Sequence, residues 1–137
     1  MIAYFDTSAL VKLFLREPGT ETVRDLWEGA VDRVTSVATY PEARSAIASA
    51  ARSRRIGEEY GDGAVAELGV RFSTMNVVVL DEQLATEAGD LAQQHALRGY
   101  DAVHLATALS VGQALMVTWD AELAHAAGDV GLAVVSG

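Results

Sequence analysis

Cysteine is absent from this chain, which removes a disulfide framework, a thiolate zinc site and a cysteine nucleophile at once. Basic charge is scarce: 10 Lys and Arg stand against 19 Asp and Glu, for a formal net charge of −9. No cationic surface can therefore hold nucleic acid by bulk attraction alone. The deficit is concentrated late, where residues 73–137 carry Arg98 as their one basic side chain against 8 acids. No apolar run approaches the roughly 18 residues of a membrane-spanning helix. The start, Met1-Ile2-Ala3-Tyr4-Phe5-Asp6, lacks the basic flank of an export signal. A cytoplasmic protein is expected.

What is present is apolar and rich in alanine. Half the residues are hydrophobic, which suits a packed domain and not a disordered chain, and a length near the usual domain size predicts one domain over 1–137. Apolar runs at 2–5, 33–37, 76–80, 114–118 and 132–135 read as strands. Between them, 9–15, 20–29, 39–53, 56–75, 81–97, 100–111 and 120–127 read as helices, with Gly57, Gly61, Gly63 and Gly69 weakening the fourth. The unalternated Asn76-Val77-Val78-Val79-Leu80 run reads as a strand covered on both faces. Alternating strands and helices predict a three-layer α/β/α fold with a mostly parallel sheet of about five strands.

In such a sheet, ligands bind beyond the carboxyl ends of the strands. Asp6 follows the first strand, Glu42 opens the helix after the second, Asp101 opens an apolar helix and Asp120 follows the fourth strand. Each has a plain local reading as well. Asp6 and Asp120 suit helix caps, Glu42 suits a capping box with Thr39, and Asp101 complements a helix dipole. Together they point elsewhere, because carboxylates crowded on one rim repel unless a cation is present. Oxygen donors without thiolate select a hard ion, Mg²⁺ or alternatively Mn²⁺, which activates water and neutralises charge in phosphodiester hydrolysis.

Four segments carry a resemblance: Tyr4-Phe5-Asp6-Thr7-Ser8-Ala9-Leu10-Val11-Lys12-Leu13, Thr35-Ser36-Val37 through Glu42, Tyr100-Asp101-Ala102-Val103-His104-Leu105-Ala106-Thr107-Ala108, and Val117-Thr118-Trp119-Asp120-Ala121-Glu122-Leu123. In this order and spacing the chain resembles the PIN-domain ribonucleases, and among them the VapC toxins of toxin–antitoxin pairs. The resemblance implies a Mg²⁺-dependent endoribonuclease with a PIN-like three-layer fold, acting on RNA, forming a homodimer and inhibited by a small antitoxin. It assigns Asp6, Glu42, Asp101 and Asp120 as the acidic catalytic set, and we expect Asp6 and Asp101 to be the principal metal ligands. Thr7, Ser8 and Thr118 resemble its supporting hydroxyls, able to bond Asp6 or a water at the site.

Other residues carry less. Arg98, close to Asp101, is the expected phosphate contact, whereas Arg44 points away from Glu42 by helical geometry and Arg52, Arg54 and Arg55 suit the end of a helix. His104 in its apolar run reads as a hydrogen-bonded core histidine without a catalytic role. Trp119, beside Asp120, could stack on an unpaired base. Three other functions compete with this one. An aspartyl phosphotransferase is disfavoured because Ser8 stands where a second acid belongs and no late lysine exists; a catalytically silent α/β binding module and a metal-dependent nuclease acting on DNA are the remaining alternatives.

Overall fold

Tyr4 and Phe5 are adjacent in sequence and both fully buried, which requires their strand to be covered on its two faces. That strand, β1 (Ile2–Phe5), is the middle of five. Its neighbours are β2 (Asp32–Ser36) and β4 (Leu115–Val117), with β3 (Asn76–Val78) and β5 (Val134–Val135) at the two edges. Every pairing is parallel, with Tyr4 opposite both Val34 and Met116. The computed structural model describes all 137 residues.

Seven helices cover the sheet: α1 (Thr7–Leu10, continued by a 3₁₀ turn over Val11–Leu13), α2 (Thr20–Gly29), α3 (Thr39–Arg52), α4 (Glu58–Ser73), α5 (Glu82–His95), α6 (Gly99–Ser110) and α7 (Ala121–Asp129). Phe5 faces the first four, in a core with Leu10, Phe14, Val23, Trp27, Ile47 and Leu68. Tyr4 faces the last three, among Val34, Leu105, Met116 and Leu123. The expected three-layer α/β/α architecture is thus present, with a sheet that is wholly parallel.

Three local expectations change. The first helix begins at Thr7 and not at residue 9, because Asp6 itself is its cap, accepting from the Ala9 N–H. The Val-rich 76–80 run makes a shorter strand than expected: β3 packs Val77 on one core and Val78 on the other but stops there, at the sheet edge, and Val79 is 69% exposed. The last strand shortens to Val134–Val135. The glycine-bearing fourth helix forms nonetheless, since Ala64 and Leu68 anchor its buried face and tertiary packing outweighs a propensity cost of about 1 kcal/mol per glycine.

Candidate active site

Asp6 leaves the carboxyl end of β1, and the end of the adjacent β4 is tied to it by hydroxyls. Asp6 Oδ1 accepts from the Ala9 N–H at 2.9 Å and the Ser8 hydroxyl at 2.7 Å. Its Oδ2 accepts from the Thr118 hydroxyl at 2.6 Å. Ser8 accepts from the Trp119 N–H at 2.8 Å, and Thr118 from the Asp120 N–H at 3.0 Å. One buried carboxylate therefore fixes the start of α1 and the turn after β4. Burial pushes the Asp6 carboxyl above its ordinary range, against the opposing pull of His104, Thr118, Ser8 and Ala9.

Asp101 is placed differently. It lies in the first turn of α6, and its Oδ2 is buried with no hydrogen-bond partner. The nearest cation is Arg98, whose Nε stands 3.7 Å from that oxygen and whose Nη2 stands 3.9 Å from Asp120 Oδ2. Arg98 is itself largely exposed, so it covers the two acids from the solvent side. Burial first and then the Asp120 charge raise the Asp101 carboxyl, with Arg98 offsetting part of the rise and Asp6 adding to it. Asp120 meanwhile caps α7 through the Leu123 N–H at 2.9 Å. Capping and membership of this acidic neighbourhood are compatible.

The fourth acid does not do what its local sequence invites. The Thr39–Glu42 capping box is not formed: Ala38 occupies the N-cap position, and the Thr39 hydroxyl is bonded to Thr35 at 2.8 Å. Glu42 turns instead toward Thr7, which donates to its Oε1 at 2.7 Å, and toward His104, whose Nε2 lies 2.8 Å from the same oxygen. Burial pushes the Glu42 carboxyl up, yet the hydrogen bonds of His104 and Thr7 outweigh it and leave the group below its ordinary value. Thr7 therefore serves Glu42, whereas Ser8 and Thr118 serve Asp6.

His104 is buried and hydrogen-bonded as expected of a core histidine, but its partner is a site acid. On its other side Nδ1 meets the Tyr4 hydroxyl at 2.7 Å. Tyr4 was missed altogether at the level of sequence, where it reads as one more apolar strand residue. A clue existed for His104: a polar ring in an apolar helix, three positions after Asp101 and hence on nearly the same face. Trp119 is not a free stacking surface. Its ring is wedged beside Gly19, where a methyl group would lie 2.5 Å from the indole, and Lys12 sits 5.2 Å above it. Arg44 folds back onto Tyr40 and Arg55 pairs with Glu17, away from the acids.

No three His, Asp or Glu side chains form a ready-made metal cage. The donor set suits a looser arrangement, since Mg²⁺ is commonly held by one or two carboxylates and keeps several waters. The partnerless Asp101 oxygen, beside a second acid that raises its proton affinity, is the observation that fits a cation there.

Residues 3–129 match the PIN domain. The chain belongs to the PIN domain family. It is 42% identical over 132 residues to ribonuclease VapC49 of Mycobacterium tuberculosis, covering 93% of this chain and 92% of that one. Among solved structures, FitAcB from Neisseria gonorrhoeae shares the fold with a TM-score of 0.74 at 19% identity, covering 97% of this chain and 96% of that one. VapC20 from Mycobacterium tuberculosis, described as a sarcin-ricin loop cleaving toxin, does so with a TM-score of 0.71 at 19% identity over 95% of both chains. In this PIN domain the four acids lie just after β1 (Asp6), on α3 (Glu42), on α6 (Asp101) and in the turn after β4 (Asp120).

Proposed function

We propose that this PIN domain is the toxin of a toxin–antitoxin pair, an endoribonuclease that hydrolyses RNA phosphodiester bonds with Mg²⁺. The observation that carries the reading is the meeting of Asp6, Asp101 and Asp120 at one end of a parallel sheet, with a buried Asp101 oxygen left unpartnered. Relatives named ribonucleases that align with nearly the whole chain support the substrate class, and a toxin–antitoxin complex among the structural neighbours supports a small protein inhibitor. A homodimer and a cytoplasmic location complete the proposal.

Asp6 and Asp101 would hold the ion, with Mn²⁺ able to replace Mg²⁺ at oxygen ligands. Bound there, it supplies a nucleophilic water at neutral pH and stabilises charge on the phosphoryl oxygens. Glu42 and Asp120 would orient the attacking water, one of them taking its proton. Ser8 and Thr118 keep Asp6 aimed, and Thr7 does the same for Glu42. Arg98, exposed beside Asp101 and Asp120, would contact the substrate phosphate. With a net charge of −9, substrate choice depends on the shape of single-stranded loops more than on bulk attraction.

The test is a Mg²⁺ titration followed by thermal shift, with cleavage of total RNA in parallel, on wild type and on Asp6→Asn/Asp101→Asn. Stabilisation by Mg²⁺ and EDTA-sensitive cutting, both lost in the folded double variant, are expected. A double variant that still cuts like wild type would overturn the proposal.

A further inference from the structure

The side chains that bind Glu42 form a closed chain running into the core. Tyr4 is fully buried on β1 and His104 is 2% exposed on α6. The Tyr4 hydroxyl lies 2.7 Å from Nδ1, and Nε2 lies 2.8 Å from Glu42 Oε1. An ionised carboxylate cannot donate, so Nε2 carries the hydrogen of the second bond. With that hydrogen on Nε2, the neutral imidazole offers a lone pair at Nδ1, and the Tyr4 hydroxyl 2.7 Å away donates to it. The direction of the chain follows: Tyr4 O–H to Nδ1, then Nε2–H to Oε1.

The consequence for Glu42 is asymmetric. Oε1 receives both Thr7 and His104, while no protein group donates to Oε2, which is not among the buried partnerless atoms. One oxygen is locked and the other is left for solvent. The partner from α6 and Thr7, next to Asp6, hold Glu42 from two sides. A His that fixes a neighbouring carboxylate while a third group fixes its tautomer is a known device for aiming ligands and bases.

We propose that His104 is a positioning residue for the reaction, aimed by Tyr4, which pins Oε1 of Glu42 so that Oε2 is presented to the attacking water. The inference rests on the ribonuclease reading and adds residues that the four-acid pattern does not contain. It requires no charge on the imidazole, only an Nε2–H donor. Gln at position 104 can place an amide N–H near the Nε2 site, Asn and Leu cannot.

The experiment compares His104→Gln, His104→Leu and Tyr4→Phe for kcat and KM on an RNA substrate cut by wild type, with melting temperature as a folding control. Removing such a support costs roughly 10–100-fold. We expect kcat to fall about that much in His104→Leu with KM within about twofold, to recover most of the way in His104→Gln, and to fall less in Tyr4→Phe. Nitrogen-15 NMR gives a readout independent of cleavage. With only three histidines in the chain, the Nε2–H resonance lost in His104→Gln is assigned directly, and it should shift in Glu42→Gln. Equal kcat in the wild type and a folded His104→Leu variant, or a Gln variant as slow as Leu, overturns the inference alone. Wild type that retains the His104 resonance but cuts no RNA overturns the ribonuclease reading beneath it.

Discussion

Asp6 and Asp101 belong to one acidic neighbourhood, yet the fold treats them in opposite ways. Asp6 is enclosed, and hydroxyl and backbone donors engage both of its oxygens. Asp101 keeps a buried oxygen with no hydrogen bond, facing another acid and a mobile-length arginine at 3.7 Å. The Asp6 half is therefore finished by the protein itself. The Asp101 half is left open, and the proposed cation would complete it, since a buried anionic oxygen without donors is electrostatically costly. A hydrolytic site of this kind combines a rigid anchor with an opening.

The strongest way to break that contrast is to unfinish the Asp6 half. Thr118→Val deletes the 2.6 Å donor at nearly constant volume, leaving Asp6 Oδ2 with only the 2.9 Å Ser8 bond and the Asp120 N–H without its acceptor, at a cost of about 1–3 kcal/mol. Chemical denaturation should register that loss, and RNA cleavage should fall roughly 10–100-fold as the anchor loosens. An unchanged midpoint with full activity would mean that Thr118 supports nothing.

Next in size is the pH dependence of the Asp101 half. A carboxyl raised above its ordinary value of 3.8 in the folded state binds its proton more readily there than in the unfolded chain. Between 3.8 and the raised value the native state then holds more protons, so stability falls as pH rises through that window. Glu42, lowered from 4.5, contributes in the opposite sense: its contribution is present above 4.5 and lost as pH falls through the lower folded value. In EDTA, Asp101→Asn should flatten the loss of stability on going from about pH 4 upward, and should abolish further stabilisation by Mg²⁺. A melting profile identical to that of wild type in both respects would place the unmet charge elsewhere.

The smallest effect is expected at Arg98. Exposed and held only by long ion pairs, it contributes little to stability. Arg98→Ala should leave the melting temperature nearly unchanged while weakening RNA binding severalfold and reducing the salt slope by about one unit. Mg²⁺ should bind slightly tighter, because the competing cation over Asp101 and Asp120 is gone. Equal RNA affinity at all salt concentrations would remove Arg98 from the substrate path.

Much of the fold was legible because its signals are local. The strand runs and helix starts follow from apolar periodicity and from caps, and the misjudged features are those that neighbours decide. Nothing within Asn76, Val77 and Val78 says that their strand lies at an edge. Nothing near Glu42 says that Thr39 is already bonded to Thr35 and that a histidine 62 positions away will donate to the carboxylate. Trp119 looked available because its neighbours Lys12 and Gly19 are distant in sequence.

The three capping aspartates separate the two levels. Asp6, Asp81 and Asp120 each precede a helix and each accepts the N–H three residues on, from Ala9, Leu84 and Leu123 at 2.9, 2.8 and 2.9 Å. The sequence by itself determined that shared role, because capping needs only a short side-chain acceptor beside its own helix. The strand order decided the rest. β1 and β4 are hydrogen-bonded neighbours, whereas β3 lies beyond β2 at the edge, so Asp6 and Asp120 converge on Asp101 and Asp81 does not. Convergence depends on the pairing of segments more than a hundred residues apart, and that is a property of the packed sheet alone.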